Sequence, residues 1–220
     1  DISVNNGVVE IRDYGRGIPL GKLVECVSQI NTGGKYDSQA FKKSVGLNGV
    51  GTKAVNALSS DFMVQSFRDG RTKSARFQCG NLLDSTKILK SNEKNGTFVR
   101  FSPDQSIFKK YQFESSILEN MIWNYAFLNK GLVLNLNGES IESKKGLFDL
   151  LSKRTEGAET CYPILHLESD DIEIAISHSR THYGEQYFSF VNGQHTTMGG
   201  SHQSAFREGI VKTLRSFYKK

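Results

Sequence analysis

The 220-residue sequence predicts an α+β fold, a two-layer α/β sandwich in which strands follow one another and helices are segregated between them. Three observations predict it. Short strand-like runs are punctuated by Asn-Gly and Asp-Gly turns. Several segments carry apolar residues at helical spacing. Strand and helix do not alternate with the regularity of a parallel βαβ protein.

The elements follow in order. Ile2-Ser3-Val4 and Val8-Val9-Glu10-Ile11-Arg12 flank Asn5-Asn6-Gly7 and read as a hairpin. Leu20, Leu23, Val24, Val27 and Ile30 mark a short helix. Residues 31–49 are rich in Gly, Ser, Lys and Asn, a loop long enough to act as a functional lid. A helix follows over 50–58. Residues 62–77 form a hairpin turning at Asp69-Gly70, and 96–101 form a strand. Ile117, Leu118, Met121, Ile122, Tyr125 and Leu128 mark an amphipathic helix stopped by Gly131, and a strand over 132–136 closes at Asn137-Gly138. A second unit begins near Thr155-Glu156-Gly157, with strands over 172–177 and 187–191 and a helix running from Ser201 through Phe206, Ile210, Leu214 and Phe217. The expected division is residues 1–155 and 156–220. The second part is too small for an independent core and reads as the beginning of a larger domain.

Composition excludes several classes. No window approaches 18 consecutive apolar residues and no basic-then-apolar leader opens the sequence, so no membrane association is expected and the cytoplasm is the expected compartment. Cys26, Cys79 and Cys161 are odd in number and far apart, which fits reduced thiols better than a disulfide framework or a zinc site. The net charge of +5 is concentrated late in the chain, where residues 180–220 hold six Lys/Arg against two Asp/Glu. Such a surface attracts a polyanion such as DNA, although on charge alone a solvated helix face is the simpler reading.

The chemistry lies in two glycine-rich runs. Gly46-Leu47-Asn48-Gly49-Val50-Gly51 precedes a helical segment, so free N–H groups and the positive end of a helix dipole can meet a phosphate. It is neither the P-loop nor the dinucleotide fingerprint. Upstream, Asp13-Tyr14-Gly15-Arg16-Gly17-Ile18-Pro19 places a carboxylate beside glycines that let a flat ring lie on the backbone. That carboxylate can accept a hydrogen bond from the exocyclic amine of adenine. An Asp-x-Gly-x-Gly run alone is also an ordinary turn; the two runs together point to an adenine nucleotide. His195 and His202 flank Gly199-Gly200, while His178 and His182 flank Arg180. Neither pair faces a nucleophile or a third ligand, so these read as structural or surface histidines. Tyr111 and Trp123 read as packing residues.

The combination of Asp13-x-Gly-x-Gly-Ile-Pro, Thr32-Gly33-Gly34-Lys35-Tyr36-Asp37, Gly46-Leu47-Asn48-Gly49-Val50-Gly51 and Asn56-Ala57-Leu58-Ser59 resembles the ATPase subunits of bacterial type IIA DNA topoisomerases, gyrase B and topoisomerase IV B. The likeness continues through Gly96-Thr97-Phe98-Val99-Arg100-Phe101 to Phe190-Val191-Asn192 and Gly199-Gly200-Ser201-His202. Hsp90, MutL and the sensor histidine kinases share Asp13-x-Gly-x-Gly but differ around the second glycine cluster.

The resemblance implies an ATP-binding domain of the gyrase/Hsp90/histidine kinase/MutL type over 1–155 and the start of an α+β transducer domain over 156–220. It implies that Asp13 reads adenine, with Gly15, Gly17, Ile18 and Pro19 beside the ring and Thr97 in the adenine-side hydrogen-bond network. Lys35, Gly46, Leu47, Asn48, Gly49, Val50 and Gly51 would hold the phosphates of ATP, and Arg16 and Arg68 would form the pocket rim. It further implies DNA, a DNA-cleaving partner subunit and a second ATPase subunit as partners. The family's general base and its Mg²⁺-ligating Asn lie on a helix before the first hairpin, so neither role falls on a residue here, and these 220 residues alone are expected to hydrolyse ATP at background rate. A non-hydrolysing nucleotide-sensing or DNA-contacting module is the alternative.

Overall fold

The computed structural model describes residues 1–30, 32, 49–181 and 183–219. The first hairpin forms as its turn residues require. Strands β1 (Ile2–Asn5) and β2 (Val8–Arg12) pair antiparallel, with Asn6 and Gly7 at φ +49° and +78°. Two left-handed central residues match the twist of paired strands. The predicted helix over 20–30 divides into a 3₁₀ turn, Leu20–Lys22, and α1 (Leu23–Ser28). Then come α2 (Gly51–Ala57), β3 (Ser59–Arg68), β4 (Arg71–Gln78), β5 (Asn81–Ser85), β6 (Leu89–Lys90) and β7 (Gly96–Pro103). They are followed by α3 (Gln105–Phe108), α4 (Ser115–Leu128), β8 (Leu134–Leu136), β9 (Glu139–Ile141) and α5 (Leu147–Arg154). The remainder holds two hairpins, β10 (Leu165–Glu168) with β11 (Glu173–Ile176) and β12 (Phe190–Val191) with β13 (Gln194–His195), and the helix α6 (Ser201–Tyr218).

Among the described residues the first nine strands form one sheet in the order β5-β4-β3-β7-β2-β1-β8-β9, with β6 also on β4. Its pairings are antiparallel except β1 with β8. Register assigns each residue a face, because side chains alternate along a strand. Val9 lies opposite Phe101, Phe101 opposite Phe62 and Phe62 opposite Phe77. These residues face the helices, where Leu23, Val27, Phe62, Val64, Ala75 and Phe77 form a buried cluster joined by Val55 and Val99. The rings of Phe62 and Phe77 meet edge to face at 6.0 Å. On the opposite face Glu10 lies opposite Arg100, Arg100 opposite Met63 and Met63 opposite Arg76. Two layers result.

A second cluster, Ala126, Leu136 and Ile141, fastens α4 to the β8–β9 hairpin. Trp123 stacks on Phe127 at 5.3 Å, and the Tyr111 hydroxyl donates to the Gly7 carbonyl at 3.3 Å, so both aromatics pack as expected. Helix α5 was not legible by periodicity. Its apolar residues Leu147, Phe148, Leu150 and Leu151 fill little more than one turn, and the helix is fixed by partners distant in sequence. It packs against α4 and β11, and its Leu147 N–H donates to Glu173 Oε1 at 2.8 Å. In its first turn, Asp149 accepts from the Ser143 hydroxyl and the Lys144 and Lys145 amides of the segment before it. Burial raises the Asp149 carboxyl, and these bonds more than reverse that, holding its pKa below the ordinary value. Strand β12 is shorter than the expected 187–191, because only Phe190 and Val191 find ladder partners. No described helix is long and apolar enough to cross a membrane.

Candidate nucleotide site

The site is assembled at the end of β2 on the helix-covered face. Asp13 follows the last ladder residue, and its N–H donates to the Thr97 carbonyl at 2.9 Å, extending the β2–β7 pairing by one position. Alternation puts Asp13 on the same face as Ile11, while β7 carries Thr97 there opposite Ser66 of β3. One carboxylate oxygen of Asp13 accepts from the Gly15 N–H at 2.8 Å, closing an Asx turn. The other has no partner among the described residues and is available to a ligand donor.

Gly17 supplies the close approach. It lies at φ +72°, and a Cβ there would stand 2.5 Å from the Phe67 carbonyl oxygen and 3.0 Å from Ser66 Oγ. Only glycine fits such a position. Two side chains hold the passing backbone: Ser66 Oγ donates to the Ile18 carbonyl at 2.7 Å, and Arg68 Nη1 donates to that of Gly17 at 3.4 Å. Ile18 packs against the sheet's core, and Pro19 leads into the 3₁₀ turn at φ −54°. The structure thus brings Asp13, Gly15, Gly17, Ile18, Thr97 and Arg68 together. Arg16 is exposed on the same loop.

Where the sequence leads one to expect phosphate contacts, Gly49 sits at φ +57°, Val50 caps α2 and Gly51 is its first residue, exposed and with open space where a Cβ would be. Helix α2 packs against α1, β3, β4 and β7, so its N-terminus belongs to the same layer as the Asp13 loop. Lys35, Gly46, Leu47 and Asn48 lie outside the described residues, as does His182.

Four contributors were given no role by sequence reasoning, although Gly96 and Asn56 stand in the motifs it quoted. Ser66 is fully buried beneath Ile18. Gly96, at φ +141°, has no room for a Cβ beside the Asp13 carbonyl. Lys53 is buried and donates to the Gly49 carbonyl at 2.5 Å, and Asn56 Nδ2 donates to the Val27 carbonyl at 2.9 Å. Ser66 had a usable signal, two positions before Arg68 and therefore on its strand face. Lys53 had none, since a polar residue on a helix reads as solvated by default, and Asn56 stood in a quoted motif without a role attached to it.

Other candidates carry less chemistry. His166, Glu168 and Glu173 lie close enough to share a cation, but the Lys130 ammonium already occupies that position, 2.5 Å from Glu168 and 3.4 Å from Glu173. His202 Nε2 meets Thr196 Oγ1 at 3.3 Å, His195 packs on Phe190 and His178 on Tyr162. A cavity of about 480 Å³ is lined by Glu10, Arg12, Phe98 and Asn135, which places it on the sheet's other face, away from the Asp13 carboxylate.

A family model described as DNA gyrase B matches residues 134–220. The chain is 52% identical over 219 residues to the B subunit of DNA topoisomerase 4 from Borreliella burgdorferi, covering 100% of this chain and 36% of that protein. It is 30% identical over 241 residues to the B subunit of DNA gyrase from Thermotoga maritima, covering 98% and 38%. It therefore spans little more than a third of the length of these relatives. Among solved structures, the ATPase region of Saccharomyces cerevisiae topoisomerase II matches with a TM-score of 0.81 at 23% identity, covering 100% of this chain and 61% of that one. The 43K ATPase domain of Thermus thermophilus gyrase B, in complex with an aminocoumarin, matches at 0.74 and 23%, covering 99% and 61%. These structural likenesses establish the shared α+β fold. Motifs, fold and sequence identity along the whole chain agree: it belongs to the family of gyrase B and topoisomerase IV B proteins, the ATPase subunits of bacterial type IIA DNA topoisomerases.

Proposed function

We propose that the chain is the ATP-binding region of a type IIA DNA topoisomerase, coupling ATP binding, subunit dimerisation and hydrolysis to passage of one DNA duplex through another. The observation that carries it is Asp13 at a strand end, its N–H held by the Thr97 carbonyl and one carboxylate oxygen by the Gly15 N–H with the other unspent, beside a glycine whose backbone lies against Phe67 and Gly96. A carboxylate acceptor beside a flat backbone shelf suits the N6 amine and ring of adenine and repels the O6 acceptor of guanine. The α2 N-terminus and the glycines before it would meet the phosphates, with Lys35 from the preceding segment and with Arg16 and Arg68 on the rim.

In this reading residues 1–155 form the ATP-binding domain and 156–220 the start of the transducer. Mg²⁺ accompanies ATP; no side chain among these 220 residues is assigned as its ligand or as the general base, and tested alone they hydrolyse ATP at background rate. The partners are DNA, the DNA-cleaving subunit and a second copy of the ATPase subunit, in the bacterial cytoplasm. ATP contacts made only in the dimerised state would shift that equilibrium, and hydrolysis would reset it.

Calorimetric titration with a non-hydrolysable ATP analogue and Mg²⁺, beside GTP and an Asp13→Asn variant, tests the site. Adenine-selective binding that the variant loses supports the reading. Equal binding of ATP and GTP, or of wild type and variant, overturns it.

A further inference from the structure

We propose that Arg12 is a positioning residue for adenine recognition, a guanidinium clamp on the open face of the sheet that fixes the direction of the Asp13 carboxylate on the covered face. The proposal rests on the adenine reading above and adds to it a residue on the far side of the sheet.

Arg12 is half-buried at the end of β2, one position before Asp13 and therefore on the opposite face. Its guanidinium lies over two rings, 4.9 Å from the centroid of Tyr14 and 4.5 Å from that of Phe67. Nη1 donates to the Asp13 carbonyl, and Nη2 donates to the Lys94 carbonyl at 2.6 Å. One planar group thus ties together the Asp13 loop, the segment leading into β7, and β3 through Phe67. Gly96 completes the arrangement, because a Cβ there would occupy the space taken by the Asp13 carbonyl and the guanidinium.

The consequence falls on Asp13. Its N–H is held by the Thr97 carbonyl and its own carbonyl by Arg12, so the two peptide planes on either side of its Cα are both fixed. With one carboxylate oxygen spent on the Gly15 N–H, the direction of the other follows from the backbone. Hydrogen-bond discrimination depends on such preorganisation, since a loose acceptor finds water as readily as the ligand. The task needs arginine. A lysine ammonium lacks the planar fork that reaches two carbonyls while lying against aromatic rings.

The test compares affinities of the full chain for a non-hydrolysable ATP analogue and for the matching purine nucleotide that lacks the N6 amine, with melting temperature recorded beside each. Wild type should prefer the adenine nucleotide. Arg12→Ala should weaken adenine binding about tenfold, the order expected for losing a stacked, charge-assisted contact, and bring the ratio between the two nucleotides towards one. Arg12→Lys, which keeps the charge, should not restore the ratio. Tyr14→Leu removes one ring at an exposed position and should lower the ratio a few-fold without unfolding the chain, so it reports even if Arg12→Ala is poorly folded. If Arg12→Ala and Tyr14→Leu both keep the wild-type ratio while Asp13→Asn abolishes it, the clamp is overturned and the adenine reading stands. If Asp13→Asn also keeps the ratio, the adenine reading fails and the clamp with it. A loss shared equally by both nucleotides and tracking the melting temperature assigns Arg12 a general structural role and also overturns the proposal.

Discussion

The two faces of the main sheet are built from the same strands and do opposite work. On the covered face Phe62, Val64 and Phe77 are buried to exclusion of solvent, and the candidate site continues that face at its rim through Thr97, Ser66 and Arg68. On the open face Glu10, Arg100, Asp61 and Arg76 form a ladder across four strands, with Arg100 and Arg76 each 2.8 Å from Asp61 and Arg100 3.5 Å from Glu10. The comparison teaches that the site is positioned by core packing. The carboxylate at the end of β2 stands on this face because β2, β7 and β3 are held in register by the apolar residues it shares the face with. Within this ladder, away from Arg12, charge can be changed at little cost.

The largest effect should come from the covered face. Phe62→Ala removes a fully buried ring that touches Phe77, and should lower stability by about 3–5 kcal/mol, read as a shift in chemical-denaturation midpoint at unchanged slope. A cost below about 1 kcal/mol would mean that the sheet is not held by this cluster.

Gly17→Ala should be smaller in stability and decisive in binding. The substitution places a Cβ at positive φ and against the Phe67 carbonyl, with an expected cost of about 1–3 kcal/mol. Because the loop must move away from β3 to accept it, adenine nucleotide binding should fall below detection in a titration that wild type passes. Retained affinity would show that the shelf can shift without harm to the site, and would break the link between close packing and recognition.

Much of the covered face was legible beforehand. Alternation over 62–77, the Asn6-Gly7 and Asp69-Gly70 turns and the apolar spacing of Leu23 and Val27 are local signals, and the structure realises each where the chain itself sets the geometry. Asp13, Gly17 and Thr97 were legible as motif residues, and the register then explains their shared face. What escaped depends on partners distant in sequence. Ser66 matters through Ile18, 48 positions away, and Arg12 through Lys94, 82 away. The short strands β5 and β6 exist because β4 offers them an edge. Periodicity has no term for such contacts.

The smallest effect sharpens the comparison from the other side. Asp61 lies between two arginines on the open face, its side chain 22% exposed, with Arg76 60% and Arg100 37% exposed. Solvent reaches the arginines, so the attraction is screened and the ladder should contribute little: Asp61→Asn should cost less than about 1 kcal/mol. The difference between wild type and variant should shrink as salt is raised from low to physiological concentration and beyond, because exposed pairs weaken over the Debye length while a buried ring does not. Nucleotide affinity should be unchanged, since no bond links Asp61 to the Asp13 loop. If Asp61→Asn instead matched Phe62→Ala in cost, or carried adenine affinity down with it, the ladder would be holding the strand register itself, and the division of labour between the two faces would have to be given up.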